Sequence, residues 1–296
     1  MARRVRGESI FMQRLTISHL TEYRYAVPVT LGPHQLLLRP REGHDVHIES
    51  SKLDITPLPR IKWHRDMFNN SVAVATFFEP ADRLTIVSEV VIEHYEEAPL
   101  DFLVADYAVI YPFLYDPEER VDLLPYEQPV YPNEQNALRH WVDAFGFRQG
   151  PIETYAMLDQ MNRALATQLT YVRREEPGVQ SPDQTLATQS GSCRDYAALF
   201  IEACRHLGLA SRFVSGYLHT PETEAGNAAT HAWAEVYLPG PGWKGFDPTI
   251  GEVTGRHHIA VAVARHPETV PPVAGSFVGP SGPPPTLVVD VRVQTL

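Results

Sequence analysis

Ser190-Gly191-Ser192-Cys193-Arg194-Asp195-Tyr196-Ala197-Ala198-Leu199-Phe200 puts a cysteine in the first turn of a helix. Ser190 or Ser192 supplies the N-cap, and the helix runs to about Leu207 before stopping at Gly208, a residue suited to the C-terminal cap. Tyr196, Leu199, Phe200, Ala203 and Leu207 repeat at helical spacing and form its buried stripe. A thiol at that position faces unpaired N–H groups and the positive end of the helix dipole, which favours the thiolate. Gly191 just before it suits a close approach that a side chain would block.

Two later stretches complete a chemical set. His231-Ala232-Trp233-Ala234-Glu235-Val236-Tyr237 reads as a strand opening with a histidine, and Gly242-Trp243-Lys244-Gly245-Phe246-Asp247 as the next strand, ending in an aspartate. Pro239-Gly240-Pro241-Gly242 is a turn by composition, so the two strands run antiparallel and side by side. Cys193 is then the candidate nucleophile, His231 the general base and acid, and Asp247 the group that orients the imidazole. The loop Pro221–Thr230 is expected over the cleft between them.

The remaining chain sets bounds. With 296 residues, 44% hydrophobic and 21% charged, it is long enough for two domains with real cores. A net charge of −11 argues against nucleic acid as a general partner. Its two cysteines, Cys193 and Cys204, lie on one helix about 16 Å apart along the axis, too far for a disulfide. Cys204 reads as a core thiol. Nothing resembles a membrane span or a complete signal sequence, and the chain is read as cytoplasmic with no membrane partner.

The pattern divides into residues 1–11, a disordered extension; 12–97, a β-rich N-terminal domain; 98–132, a Pro- and Tyr-rich linker; 133–265, the catalytic core; and 266–296, a loop and a terminal strand. Strands are expected at 15–25, 46–55, 71–78 and 84–95, then at 212–219, 230–238, 243–246 and 287–293. Helices are expected at 134–145 and 152–169. The terminal strand is free to pair with either domain. Arg205 and Arg212 are expected in structural ion pairs, and His257-His258, adjacent on a strand, makes a poor metal pair.

Gly-x-Cys-x-x-Tyr-Ala, Arg205-His206-Leu207-Gly208, Arg212-Phe213-Val214-Ser215-Gly216-Tyr217, His231-Ala232-Trp233 and Phe246-Asp247-Pro248-Thr249 occur in that order. Together they resemble the transglutaminase-like superfamily, and its bacterial two-domain branch in particular. Arg14 to Tyr25, with Pro28-Val29 and Leu38-Arg39-Pro40-Arg41, resembles that branch's N-terminal domain. The resemblance implies an α+β protein, an antiparallel β domain followed by a papain-like core in which the nucleophile's helix packs on an antiparallel sheet. It also implies a thioester acyl-enzyme resolved by water or by an amine, with peptide or protein amides as substrate and no metal or organic cofactor.

Peptide hydrolysis is favoured over cross-linking, and the rival reading is a binding module that keeps the fold without activity. A third reading, from resemblance alone, adds an ATP-dependent amide-bond-forming partner. Arg194 stands where bacterial relatives often carry glutamine and is assigned to the substrate subsite, with Tyr217 and Trp233 lining the cleft. The Cys193 N–H is one expected oxyanion donor, and the sequence assigns no second.

Overall fold

Alternation of apolar and polar residues builds the first half of the chain. A computed structural model describes residues 12–95, 100, 102–133, 136–174, 176–221, 223 and 230–296; the first eleven residues and most of 221–230 lie outside it. Strand β1 (Met12–Leu31) buries Leu15, Ile17, His19 and Thr21 on one face. The other N-terminal strands are β2 (His34–Leu36), β3 (Val46–Thr56), β4 (Arg60–Arg65), β5 (Ser71–Thr76) and β6 (Ala81–Tyr95). β1 and β3 flank β6 antiparallel, while β2, β5 and β4 belong to a second sheet. Val29, Leu31, Leu36, Leu38, Ile55, Phe77, Leu84 and Ile86 form one core here. Leu15, Ile17, Val90 and Ile92 join the core of the catalytic half instead.

The segment read as a linker is more structured than its composition suggests. It pairs β7 (Ile110–Tyr111) with β8 (Ile152–Glu153) and forms helix α1 (Pro117–Glu127). Asp116 caps that helix by accepting from the Glu118 N–H at 2.9 Å, and Pro117 occupies its first turn. Only Leu123 of α1 is buried, so no apolar stripe announces it. Two tyrosines fasten the segment to the core. Tyr111 donates to the Leu207 carbonyl at 3.0 Å, and Tyr115 donates to Tyr237 at 2.9 Å while accepting from the Ala210 N–H.

The catalytic half follows as α2 (Asn136–Asp143), α3 (Thr154–Gln168), β9 (Thr170–Tyr171), α4 (Pro182–Thr188), β10 (Ser190–Gly191) and α5 (Cys193–His206). Then come β11 (Ser211–Leu218), β12 (His231–Leu238), β13 (Gly242–Asp247), β14 (Glu252–Val253) and β15 (His258–Ala264). Their sheet order is β14-β13-β12-β11-β15, antiparallel throughout. Helix α5 packs on β11 and β12, with Tyr196, Leu199, Phe200 and Ala203 buried. Its end is the expected one, Gly208 adopting a φ of +80° just beyond the cap. The expected ion pairs form: Arg205 with Glu202 at 2.7 Å and Arg212 with Glu235 at 2.6 Å.

The chain closes with β16 (Val273–Ala274) on β2, β17 (Phe277–Val278) on β1, and β18 (Thr286–Thr295), which runs along β1 from Arg24↔Thr286 to Leu15↔Thr295. The terminal strand therefore belongs to the N-terminal domain.

β15 is an edge strand of the catalytic sheet, and the N-terminal domain covers it. The Arg41 N–H donates to the Ala260 carbonyl at 2.8 Å. Asn70, fully buried, uses its amide like a peptide group: Nδ2 donates to the Val263 carbonyl at 2.8 Å and Oδ1 accepts the Val263 N–H at 2.9 Å. Arg41 donates to the same Oδ1 at 2.8 Å. Covering an edge in this way removes a pairing hazard. Asn70→Ala orphans both backbone groups of Val263, and we expect a loss of about 2–3 kcal/mol, read from the urea unfolding midpoint of the full chain. An unchanged midpoint would mean that the two domains do not depend on this clamp.

Candidate active site

Ser192 is the N-cap of α5, and Cys193 is the first helical residue, partly exposed. The cap works through a buried carboxylate. Asp195 accepts from the Ser192 N–H and Oγ, both at 2.8 Å, in the arrangement of a capping box. Its Oδ1 also accepts from the Gln180 N–H at 2.8 Å, and Arg174 donates to both oxygens at 2.8 and 2.9 Å. One carboxylate thus ties the start of α5 to the preceding segment. Gly191 serves the same contact: a Cβ there would lie 2.8 Å from the Cβ of Asp195. The close approach is to Asp195, where a side chain would displace the cap.

Residues just before the helix bring Tyr171 to the nucleophile. β9 lies parallel to β10 with Gly191 opposite Tyr171, and the Val172 N–H donates to the Gly191 carbonyl at 2.9 Å. Burial raises the Tyr171 hydroxyl's pKa, and the charges of Cys193 and Asp247 raise it further.

His231 opens β12, and Asp247 ends β13 at the same edge of the site. Their contact is short, His231 Nε2 to Asp247 Oδ2 at 2.6 Å. Cys193 also acts on this ring and helps to hold the imidazolium. Burial opposes a charge on His231, but the carboxylate's charge and hydrogen bond, with Cys193 on the other side, push its pKa up to about 10. Burial would raise Asp247 too; the charge and hydrogen bond of His231, joined by His258, instead hold it well below the usual carboxylate range. Asp247 is fully buried, and its Oδ1 accepts the Thr249 N–H at 3.0 Å.

A second histidine shares the carboxylate. His258, the first residue of β15, places Nε2 3.0 Å from the same Oδ2. Among the described residues, His231, Asp247 and His258 bring three metal-type donor atoms within 4.8 Å of one another. Both nitrogens point their hydrogens at one oxygen, so a cation there would have to displace both and dismantle the His231–Asp247 contact. The arrangement is one of hydrogen bonding.

The family comparisons agree with this layout. Residues 15–93 match the bacterial transglutaminase-like N-terminal region, and residues 144–248 match the transglutaminase-like core. The chain belongs to the transglutaminase-like superfamily. An uncharacterized protein of Mycobacterium tuberculosis is 29% identical over 301 residues, covering 96% of this chain and 92% of its own. One from Mycobacterium leprae is 24% identical over 286 residues, covering 95% and 99%. A crystal structure described as a candidate cysteine protease, from Cytophaga hutchinsonii, superposes with a TM-score of 0.72 at 18% identity, covering 97% of this chain and 92% of that one. At that identity the likeness is one of fold. It extends over both the β domain and the transglutaminase-like core.

Within that transglutaminase-like core, the residues singled out from sequence fare differently. Cys193, His231 and Asp247 converge. Trp233 lies beside them, its ring 6.1 Å from that of His231 and edge-on to His258 at 5.2 Å, but it is 2% exposed and acts as a wall. Gly216 makes room for it, since a Cβ there would sit 2.6 Å from the indole. Tyr217 was assigned to the cleft, yet it is 1% exposed. Its hydroxyl meets His19 Nδ1 at 3.0 Å and donates to the Leu38 carbonyl at 3.4 Å. It therefore joins the core to the N-terminal domain. Arg194 donates to the carbonyls of Arg174 and Glu176, bracing the segment beside the nucleophile. Cys204 is a buried core thiol, as expected.

Sequence reasoning missed Tyr171, the Asp195–Arg174 tie and His258. For His258 a signal existed: it opens the unbroken β run His258-Ile259-Ala260-Val261-Ala262-Val263-Ala264 shortly after Asp247. The raised pKa of His231 has a signed consequence. The stability its imidazolium contributes is fully present below the ordinary value of 6.5 and is lost as pH rises through about 10. We expect the stability gap between the wild type and His231→Gln, from chemical denaturation, to be widest below 6.5 and to close above 10. A gap independent of pH would remove the ion pair from the account.

Proposed function

We propose that this protein is a cysteine-dependent amide-bond hydrolase or acyl transferase acting on peptide or protein substrates, with water favoured over an amine as the final acceptor. The observation that carries the reading lies at the head of α5: His231 is held 2.6 Å from a fully buried Asp247, and Cys193 adds to the pull that keeps the imidazole charged. The description of the Cytophaga protein as a candidate cysteine protease points the same way for that neighbour. A binding module would have no need to bury a carboxylate in order to orient an imidazole.

The chemistry follows from the positions. His231 already holds the proton drawn from the thiol, so the Cys193 sulfur attacks the amide carbonyl carbon as a thiolate, and a tetrahedral oxyanion forms. The Cys193 N–H at the start of α5 is one donor to that oxygen, and the Tyr171 hydroxyl is our candidate for the second. Collapse breaks the C–N bond, the imidazolium gives its proton to the departing amine, and a thioester remains. Water then attacks the thioester carbonyl and gives His231 a proton. The thiolate leaves, His231 keeps the proton taken from water so that the starting pair is restored, and the product is a carboxylic acid; an amine in place of water would give a new amide. The partly exposed Cys193 leaves water a route to the thioester.

Intact-mass trapping with a mixed peptide library, with and without a primary amine, tests this. Wild type is expected to carry a thioester adduct and Cys193→Ala none. Asp247→Asn is expected to lower turnover about ten-thousandfold and Tyr171→Phe about a hundredfold, both remaining folded. Turnover retained by Cys193→Ala would sink the reading. Amide products formed only with added amine would reverse the preference for water.

A further inference from the structure

We propose that His258 is a positioning residue of this site, a neutral imidazole that donates to Asp247 Oδ2 and so moderates the grip of that carboxylate on His231. The inference rests on the Cys193–His231–Asp247 reading and adds to it a partner on the far side of the carboxylate.

The argument begins with which nitrogen of His258 carries the hydrogen. Nδ1 lies 3.3 Å from the Gly255 N–H, which can only donate, so Nδ1 accepts. The hydrogen therefore sits on Nε2, 3.0 Å from Asp247 Oδ2. A backbone amide thus selects one tautomer of a side chain that is 6% exposed. The ring is also held from its face, edge-on to Trp233 at 5.2 Å, on a strand whose other end is clamped by Asn70.

One oxygen then serves two imidazoles. His231 Nε2 approaches Oδ2 at 2.6 Å and His258 Nε2 at 3.0 Å, while Oδ1 takes the Thr249 N–H. A donor to a carboxylate draws charge from it and weakens its hold on other donors. The stronger the pull of Asp247 on the Nε2 hydrogen, the more basic the ring and the more slowly its other nitrogen gives a proton to the departing amine, so a carboxylate with no second donor would hold the imidazolium too firmly. Other charged or titratable groups face this cluster without contributing to Oδ2: Cys193 from α5, Tyr171 from β9, His94 from β6, and His257 beside His258. His258 alone among them has a hydrogen bond to the carboxylate in addition to that of His231.

The test reads the full-length protein without substrate. In wild type labelled with 15N-histidine, His258 is expected to show the neutral tautomer protonated at Nε2 at about pH 8. A charged ring, or a proton on Nδ1, overturns the proposal even if no variant folds. The low-field proton of the His231–Asp247 hydrogen bond is then compared in His258→Phe, which keeps a ring against Trp233 but donates nothing, and His258→Gln, whose Nε2 can donate in its place. Phe is expected to move that resonance further downfield, and Gln to leave it near wild type.

In the presence of a substrate that acylates Cys193, Phe is expected to slow acylation about tenfold with apparent affinity unchanged, and Gln to restore most of the rate. An unmoved or upfield resonance in a folded His258→Phe, or a Gln variant indistinguishable from Phe, overturns it. Failure of wild type to acylate would count against the proposed function, whereas the His258 tautomer and the low-field proton would still judge this inference.

Discussion

A carboxylate without solvent must be given donors, and Asp247 receives three. It is fully buried, at the end of β13, and it collects the His231 imidazole, the His258 imidazole and the Thr249 backbone amide. Burying an unpaired charge costs far more than a surface contact returns, so the fold has to bring these groups together. Three strands meet that demand. β13 supplies the acceptor, while β12 and β15 supply donors from their first residues. The antiparallel order β13-β12-β11-β15 puts the start of β12, the end of β13 and the start of β15 at one edge of the sheet. Topology therefore decides which side chains share the oxygen.

Helix α5 repeats the principle at both of its ends. Asp195, fully buried, binds the Ser192 cap, the Gln180 N–H and Arg174 around the first turn. Farther along, Glu202 takes the Val130 N–H at 3.0 Å and Arg205 at 2.7 Å. Arg205 in turn donates to the carbonyls of Tyr126, Ser211 and Arg265. Such networks fix geometry more than they add stability, because desolvation offsets much of the attraction. What they secure is direction: a helix tied at both ends to surrounding backbone holds Cys193 toward His231.

The features legible in the sequence were those with a local signature. Ser192 before Cys193, Gly208 after the helix and the Pro239–Gly242 turn each act within a few residues, and all appear where the pattern puts them. Alternation located most strands, and the local settings of Cys193, His231 and Asp247 marked residues that the fold brings together. Features that depend on distant partners were not legible. α1 buries only Leu123, so its capping residues lacked an accompanying stripe. Tyr217 has the aromatic character of a cleft residue, and its distant partners, the His19 ring 198 positions away and the Leu38 carbonyl, show that it serves the domain junction. β18 could have paired with either half until β1 offered it a free edge. His258 was judged against His257, its neighbour, when its partner was Asp247, eleven residues back.

The N-terminal domain is better understood from the same constraint than as an appendage. β15 must hold His258 in register with Asp247, yet it lies at the edge of its sheet, where strands fray and slip. Asn70 satisfies both peptide groups of Val263, and the Arg41 amide reaches Ala260, so the edge is finished by a second domain. Behind it, His19 is buried so completely that its pKa falls to about 4, leaving a neutral ring to bond Tyr217 and Thr21. The His19–Tyr217 contact is thus neutral over the range in which His231 works. The β domain thereby fixes the strand that fixes the second imidazole, and its contribution to the site runs through the backbone register of β15.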